Sequence, residues 1–168
     1  QGDGEGISQA MIVSDNRVDL AYESWYAYED NFGTSEEKAF VKHFQGLVPE
    51  LRKEYDEVYL VRNERIPALA IYEFDTGERF EPDFLLFLQK RGTDGYLQEQ
   101  IYIEPKGSHL LEKDKWKEDF LLKIEEQGIP VKKYVDDNKY RIFGLPFFNK
   151  DSRMEEFAQA FSMKLNNK

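Results

Sequence analysis

The residues in this sequence whose types and spacing suit chemistry are two carboxylates and a lysine. Asp83 lies in the segment FEPDF (80–84), and Glu104 and Lys106 lie in IEPKG (103–107). Residues two apart in a β-strand project to the same face, so Glu104 and Lys106 share one side. If the two segments pair as antiparallel strands, Asp83 lies opposite the end of the Glu104 strand. The spacing therefore predicts an acid-acid-lysine site at one end of a sheet.

A site of this composition suits a divalent metal ion and phosphodiester hydrolysis. Carboxylates and a backbone carbonyl are hard oxygen ligands of the kind that Mg²⁺ prefers, and Mn²⁺ can replace it. The metal lowers the pKa of a bound water, and a lysine beside it can orient or deprotonate that water. We predict Asp83, Glu104 and the Pro105 carbonyl as metal ligands, with Lys106 positioning the water or moving its proton.

The elements that must position these residues follow from the spacing of apolar side chains. Helical spacing predicts helices, the first with Thr34 or Ser35 as its N-cap, over 35–53, 113–127 and 152–165. Extended apolar runs between turn signals predict strands at 57–62, 68–74, 80–88, 98–104, 131–135 and 140–145. The predicted fold class is α/β, with a mixed central β-sheet flanked by helices.

Length and composition indicate a single domain. A chain of 168 residues can bury its own core, and we expect a polar leader or linker at 1–19 followed by one domain at 20–168. Within it, the aromatic segment 20–32 is expected to form a strand or an arm. The absence of cysteine excludes disulfides and Cys-ligated zinc. With no membrane-spanning run or signal pattern, the sequence predicts a cytoplasmic protein and no membrane partner.

The quoted segments resemble those of a known group of nucleases. The order PD (82–83) and then EPK (104–106) resembles the PD-(D/E)xK nuclease superfamily. A narrower resemblance, to the carboxy-terminal endonuclease domain of the type III restriction enzyme Res subunit, is carried by TSEEK (34–38), LVRNE (60–64), FEPDF (80–84), IEPKGSHL (103–110) and DKWK (114–117). These matches are spread over residues 34–117, half of the chain.

The resemblance implies a restriction-endonuclease-like fold and a bacterial Mg²⁺-dependent endonuclease that cuts double-stranded DNA. It also implies a longer parent polypeptide with an ATP-driven helicase or translocase region, and a methylation (Mod) subunit as partner. No G-x-x-x-x-G-K-[ST] phosphate loop occurs in this sequence, so ATP would act only through a motor that these residues do not contain.

The resemblance further implies a glutamate of the first helix at the catalytic site. Glu37 shares a helix face with Phe40 and Phe44, so it is the preferred candidate, and Glu36 is the alternative. Glu37 equally suits a first-turn residue that is favoured only by the helix dipole.

Two other interpretations stay open at this level. A net charge of −10 counts against a free-standing nucleic-acid binder and favours an acidic interaction domain unrelated to nucleases. A catalytically silent nuclease fold, kept for docking or for positioning DNA, is the second. Among nearby residues, His109, Trp116 and the lysines at 113, 115 and 117 are assigned to surface or packing roles, and 62–64 to a structural one.

Overall fold

The computed structural model describes residues 18–19, 30–31, 34–63, 71–72, 77, 79–92, 95–124 and 139–166. Several of the predicted segments lie wholly or largely outside the described residues, namely the leader 1–19, the aromatic segment 20–32, the strand at 68–74 and the strand at 131–135. No helix among the described ranges is both long and apolar enough to cross a membrane.

The helices separate groups of strands along the described parts of the chain. The helices are α1 (Ser35–Glu54), α2 (Lys115–Lys123) and α3 (Met154–Asn166), with a short 3₁₀ turn at Ser108–Leu110. The strands are β1 (Val18–Asp19), β2 (Asp30–Asn31), β3 (Glu57–Arg62), β4 (Ile71–Tyr72), β5 (Arg79–Phe80), β6 (Phe84–Gly92), β7 (Gly95–Ile103) and β8 (Lys139–Gly144).

Four of these strands form a mixed central sheet in the order β3-β6-β7-β8. The pairs β3–β6 and β6–β7 are antiparallel, whereas β8 runs parallel to β7 and is reached through α2. Two short antiparallel pairs, β1–β2 and β4–β5, stand apart from this sheet. The prediction of a mixed α/β fold with a central sheet and flanking helices is confirmed.

The third predicted strand, 80–88, is divided in the structure. Arg79–Phe80 pairs with β4, and a new strand starts at Phe84, so the chain is not in a strand at 81–83. Pro82 accounts for the break, because it has no backbone N–H to donate to a neighbouring strand. The predicted loop at 89–95 is also too long, since β6 and β7 remain paired as far as Gly92 and Gly95.

The first and last helices match the prediction, and the second begins later. The Thr34 hydroxyl caps α1 by accepting a hydrogen bond from the Glu37 N–H at 3.3 Å. The second helix starts at Lys115 instead of residue 113. Its N-cap, Asp114, makes no side-chain hydrogen bond to the helix backbone, because that carboxylate is paired with Lys106 at 3.0 Å.

The core has two parts, one on each face of the sheet. The larger part joins α1 and α3 to the sheet through phenylalanines such as Phe40, Phe84 and Phe157. The smaller part lies under α2 and contains five buried side chains, Phe80, Phe120, Leu121, Ile124 and Phe147. Alternate residues of β7 therefore point to different layers, and Tyr102 packs against the smaller one.

Candidate active site

Asp83 and Glu104 lie directly opposite each other at the end of the β6–β7 pair. The last paired residues are Phe84 and Ile103, so the same antiparallel register places Asp83 against Glu104 one step further on. The Asn63 N–H donates to the Asp83 carbonyl at 2.7 Å, which extends the β3–β6 pairing to the same level. The expected antiparallel pairing of the two segments is thus confirmed, and it brings the two carboxylates together.

The electrostatics of this acid pair are unfavourable for two negative charges. Glu104 is only 4% exposed, and burial raises its pKa well above the usual range. A hydrogen bond with the Asp83 side chain and repulsion by the Asp83 charge raise that pKa further, whereas the charges of Lys106 and Lys117 lower it. Two carboxyl groups in contact are stabilised either by a shared proton or by a cation between them.

The two glutamates at the start of α1 have different surroundings. Glu37 accepts a hydrogen bond from Arg62 at 2.9 Å in a largely buried ion pair. Burial raises the pKa of Glu37 first and the nearby charge of Asp83 raises it next, while Arg62 lowers it. Glu36 instead accepts a hydrogen bond from the Lys150 N–H at 3.2 Å. Of the two, Glu37 faces the acid pair.

The ammonium group of Lys106 is held by a carboxylate that the sequence did not suggest. Its Nζ donates to Asp114 Oδ2 at 3.0 Å, and the two side chains are 11% and 14% exposed. The hydrogen bond from Lys106 lowers the pKa of Asp114. The Lys106 Nζ also lies 5.3 Å from the centre of the Phe147 ring. Lys106 is thus a largely buried cation whose ion-pair partner is Asp114 rather than Glu104.

The backbone around Pro105 is fixed by a parallel bridge to the segment before α3. The Lys106 N–H donates to the Phe148 carbonyl at 2.8 Å, and the Phe148 N–H donates to the Glu104 carbonyl at 3.0 Å. In this pattern the Pro105 carbonyl is not used by Phe148 and points to the opposite side, where β6 lies. Its direction is compatible with the metal-ligand role predicted for it.

A fully buried amide, Asn149, holds the same segment from its other end. Its Nδ2 donates to the Lys106 carbonyl at 2.9 Å and to the Ser108 hydroxyl at 3.1 Å. Its Oδ1 accepts from the Asp151 N–H at 2.9 Å and the Ser152 N–H at 2.8 Å. Asn149 therefore ties the Lys106 segment to the start of α3. No spacing in the sequence pointed to this residue.

Lys117, which the sequence places on a solvated helix face, is only partly exposed. Its Nζ lies 3.9 Å from Asp114 Oδ2 and 5.7 Å from the centre of the buried Phe80 ring, and its side chain is 28% exposed. Its charge also lowers the pKa of Glu104. The sequence feature that contains Lys117 is the segment DKWK (114–117), which is one of the segments that carry the resemblance to nucleases.

The remaining nearby candidates lie on the surface. His109 is exposed in the 3₁₀ turn, and Lys113 is exposed before α2. Lys115 pairs with Asp119 at 3.2 Å in an exposed bridge. Trp116 is 37% exposed, so of core and helix packing only the second fits it.

The donor set is small but fits Mg²⁺. Within the described ranges, no group of three or more His, Cys, Asp or Glu side chains is arranged to hold a metal ion. Asp83, Glu104 and the Pro105 carbonyl would supply two carboxylates and one carbonyl. That number suffices for Mg²⁺, which keeps several water ligands and binds proteins through one or two carboxylates.

Comparisons with known proteins place the chain in a family. The family HI_1054_C, described as a C-terminal domain, matches residues 8–166. The chain belongs to this family. An uncharacterized protein of Haemophilus influenzae is 37% identical over 150 residues, which covers 83% of this chain. The chain spans 32% of the length of that relative. No solved structure matches the chain significantly.

Proposed function

We propose that this chain is a Mg²⁺-dependent DNA endonuclease domain of the PD-(D/E)xK type. The observation that carries the proposal is the cross-strand contact between Asp83 and Glu104, with Lys106 two residues beyond Glu104. Two carboxyl groups in contact, one buried and one half-buried, are costly to the fold, and such perturbed groups are concentrated at functional sites. A divalent cation bound between the two carboxylates would offset their repulsion, whereas a purely structural role leaves that repulsion unexplained.

Each residue has a distinct task in this proposal. Asp83 and Glu104 hold the cation together with the Pro105 carbonyl. A bound Mg²⁺ supplies positive charge to the scissile phosphate and lowers the pKa of a water molecule. The ammonium group of Lys106 would donate a hydrogen bond that orients this water, and its neighbour Asp114 fixes the direction of that group. Glu37 lies at the edge of this site, where its ion pair with Arg62 holds its carboxylate in place.

The partners follow from the same proposal and from the resemblance. Double-stranded DNA is the substrate. The chain spans 32% of the relative it matches, which is consistent with a cutting domain that belongs to a longer polypeptide. We extend the proposal to a cytoplasmic type III restriction system, with a helicase or translocase region and a Mod subunit that supply most of the DNA affinity. Help of this kind is expected for a domain with a net charge of −10.

The test is nicking of supercoiled plasmid by the 168-residue chain in molar excess over DNA, with Mg²⁺, with Mn²⁺ and with EDTA. We expect nicking with either metal and none with EDTA. Lys106→Ala should lower the single-turnover rate by on the order of 10³-fold, and Asp83→Asn should abolish it, because each group acts directly on the reacting centre. Lys150→Ala, an exposed lysine whose side chain takes no part in the site, is the matched control.

Calorimetric titration with Mg²⁺ makes the test decisive even if nicking is slow. The proposal requires binding that is lost in Asp83→Asn and retained in Lys150→Ala. The chain is not a nuclease of this kind if the wild type neither binds Mg²⁺ nor nicks DNA. The same holds if Lys106→Ala and Asp83→Asn both nick DNA as fast as the wild type. Binding of Mg²⁺ without any cleavage would instead identify the silent nuclease fold.

A further inference from the structure

Two lysines share one carboxylate beside the acid pair. Asp114 Oδ2 lies 3.0 Å from the Nζ of Lys106 and 3.9 Å from the Nζ of Lys117. Asp114 supplies one negative charge, and the acid pair is the next source of negative charge, since both lysines lower the pKa of Glu104. In a chain with a net charge of −10, two lysines this close are an unusual concentration of positive charge. A divalent cation bound by the acid pair would take up the negative charge of that pair and leave the second lysine available to a phosphate.

Two aromatic rings define the position of the Lys117 ammonium group. Its Nζ lies 5.7 Å from the centre of the Phe80 ring, and Phe80 is buried in the segment that leads to Asp83. On its other side the Nζ lies 5.6 Å from the centre of the Trp116 ring, which is 37% exposed. Lys117 therefore lies near both the buried Phe80 ring and the exposed Trp116 ring, in a position to meet a group that approaches from solvent.

A purely structural role explains these contacts less well. A lysine that serves only to pair with Asp114 would be redundant, because Lys106 already pairs with that oxygen at a shorter distance. A lysine that is only a solvated helix residue would resemble Lys115, whose side chain is 65% exposed. Lys117 is 28% exposed and contributes to the electrostatics of Glu104.

We propose that Lys117 is a second lysine of the catalytic site, which contacts a non-bridging oxygen of the scissile phosphate or of its neighbour. This inference rests on the proposed nuclease function and adds a substrate-contacting residue to it. Asp114 is then a positioning residue, which holds both ammonium groups before DNA binds. When a phosphate arrives, it provides the negative charge that Asp114 alone does not.

The experiment compares Lys117→Ala, Lys117→Arg and the matched control Lys115→Ala, a lysine on the same helix with an exposed partner. The first readout needs no metal and no cleavage. Fluorescence anisotropy with a short labelled DNA duplex in EDTA gives the association constant across a range of salt concentrations. One lost phosphate contact reduces the slope of log K against log salt by about 0.9. We expect this reduction in Lys117→Ala, and an unchanged slope in Lys117→Arg and Lys115→Ala.

The second readout is single-turnover cleavage with Mg²⁺ at saturating protein. Loss of a cation that stabilises the developing negative charge lowers the rate by on the order of 10²-fold, by analogy with removal of one oxyanion-stabilising group. We expect that loss in Lys117→Ala, partial recovery in Lys117→Arg and no loss in Lys115→Ala. Urea unfolding of all variants shows whether each one folds, and Lys117→Arg keeps the charge if Lys117→Ala proves unstable.

The two levels of the hypothesis fail differently. If the wild type cleaves with Mg²⁺ but Lys117→Ala matches Lys115→Ala in slope and in rate, Lys117 is not a phosphate contact, and the nuclease proposal stands. If the wild type does not cleave at all, the nuclease proposal fails. In that case an unchanged salt slope in Lys117→Ala removes the phosphate contact as well.

Discussion

The side-chain nitrogen of Asn149 donates a hydrogen bond to the backbone carbonyl of Lys106 at 2.9 Å. This contact joins the last β-strand and α3 to the segment that carries the candidate lysine. Asn149 is completely buried, and both ends of its amide are used. The lysine segment is therefore held by a residue that lies 43 positions away in the sequence.

Asn149→Ala is expected to destabilise the fold strongly. The substitution removes the partner of the Lys106 carbonyl and of the N–H groups of Asp151 and Ser152, which are part-buried hydrogen bonds worth about 1 kcal/mol each. We expect the free energy of unfolding in urea to fall by about 3 kcal/mol. Gln159→Ala, which removes an exposed amide, should change it by less than about 0.5 kcal/mol. Equal effects of the two substitutions would contradict the role of Asn149 in tying the Lys106 segment to the start of α3.

Glu104→Gln should stabilise the protein, and increasingly so as the pH rises. Burial and Asp83 raise the pKa of Glu104 in the folded state above the ordinary value of 4.5. Below that value the carboxyl group is protonated in both states. As the pH rises, the unfolded state ionises first, and native stability falls until the folded carboxyl group also ionises. The amide cannot ionise, so its advantage should grow from about pH 4.5 towards neutrality.

Thermal melts of the wild type and Glu104→Gln across this pH range check that prediction. Mg²⁺ should raise the melting temperature of the wild type at neutral pH, because a ligand that binds only the native state stabilises it. The variant has lost one of the two carboxylates and should respond much less. If the difference in melting temperature between the two proteins did not change with pH, the pKa of Glu104 would not be raised in the folded state.

A double-mutant cycle should reveal strong coupling between Arg62 and Glu37. Their side chains are 17% and 11% exposed, so Arg62→Met leaves a carboxylate largely buried without its partner. We expect a loss of about 2–3 kcal/mol, somewhat below the cost of breaking a fully buried pair. Adding Glu37→Gln should restore much of that loss. The exposed pair Lys53–Glu50 is the control, with an expected coupling below about 1 kcal/mol.

Two glycine-to-alanine substitutions should have opposite signs. A Cβ atom at Gly144 would lie 2.4 Å from the backbone oxygen of Leu121, so the β8–α2 contact would have to open. We expect Gly144→Ala to cost about 1–3 kcal/mol. Gly46 lies within α1 with nothing near its Cβ position, so Gly46→Ala should stabilise by about 0.5–1 kcal/mol. Urea unfolding of the pair measures both, and a harmless Gly144→Ala would contradict the close contact.

The sequence predicted most of the fold because its helices and long strands depend on local patterns. The apolar spacing of α1 and the run at β3 predicted both elements to within one residue. The opposition of Asp83 and Glu104 was predictable too, since it follows from one hairpin. The break at Pro82 was missed because the apolar pattern continues across it, although proline itself was the warning.

The rest of the candidate site depends on contacts between distant segments. Asp114 belongs to the turn before α2, and its pairing with Lys106 depends on how α2 packs across the sheet. Asn149 reaches Lys106 only because β8 returns parallel to β7. Local spacing carries no information on such arrangements. For the same reason Lys117 was taken for a surface residue.

The antiparallel pairing of β6 with β7 also determines which changes of length this domain can tolerate. Asp83 and Glu104 face each other because their strands are in register from Phe84–Ile103 to Gly92–Gly95. An insertion of one residue within either strand would turn one carboxylate to the other face of the sheet. Extra residues between Gly92 and Gly95 would leave the register unchanged. Relatives that retain the chemistry should therefore keep the lengths of β6 and β7 and differ in length only between these two strands.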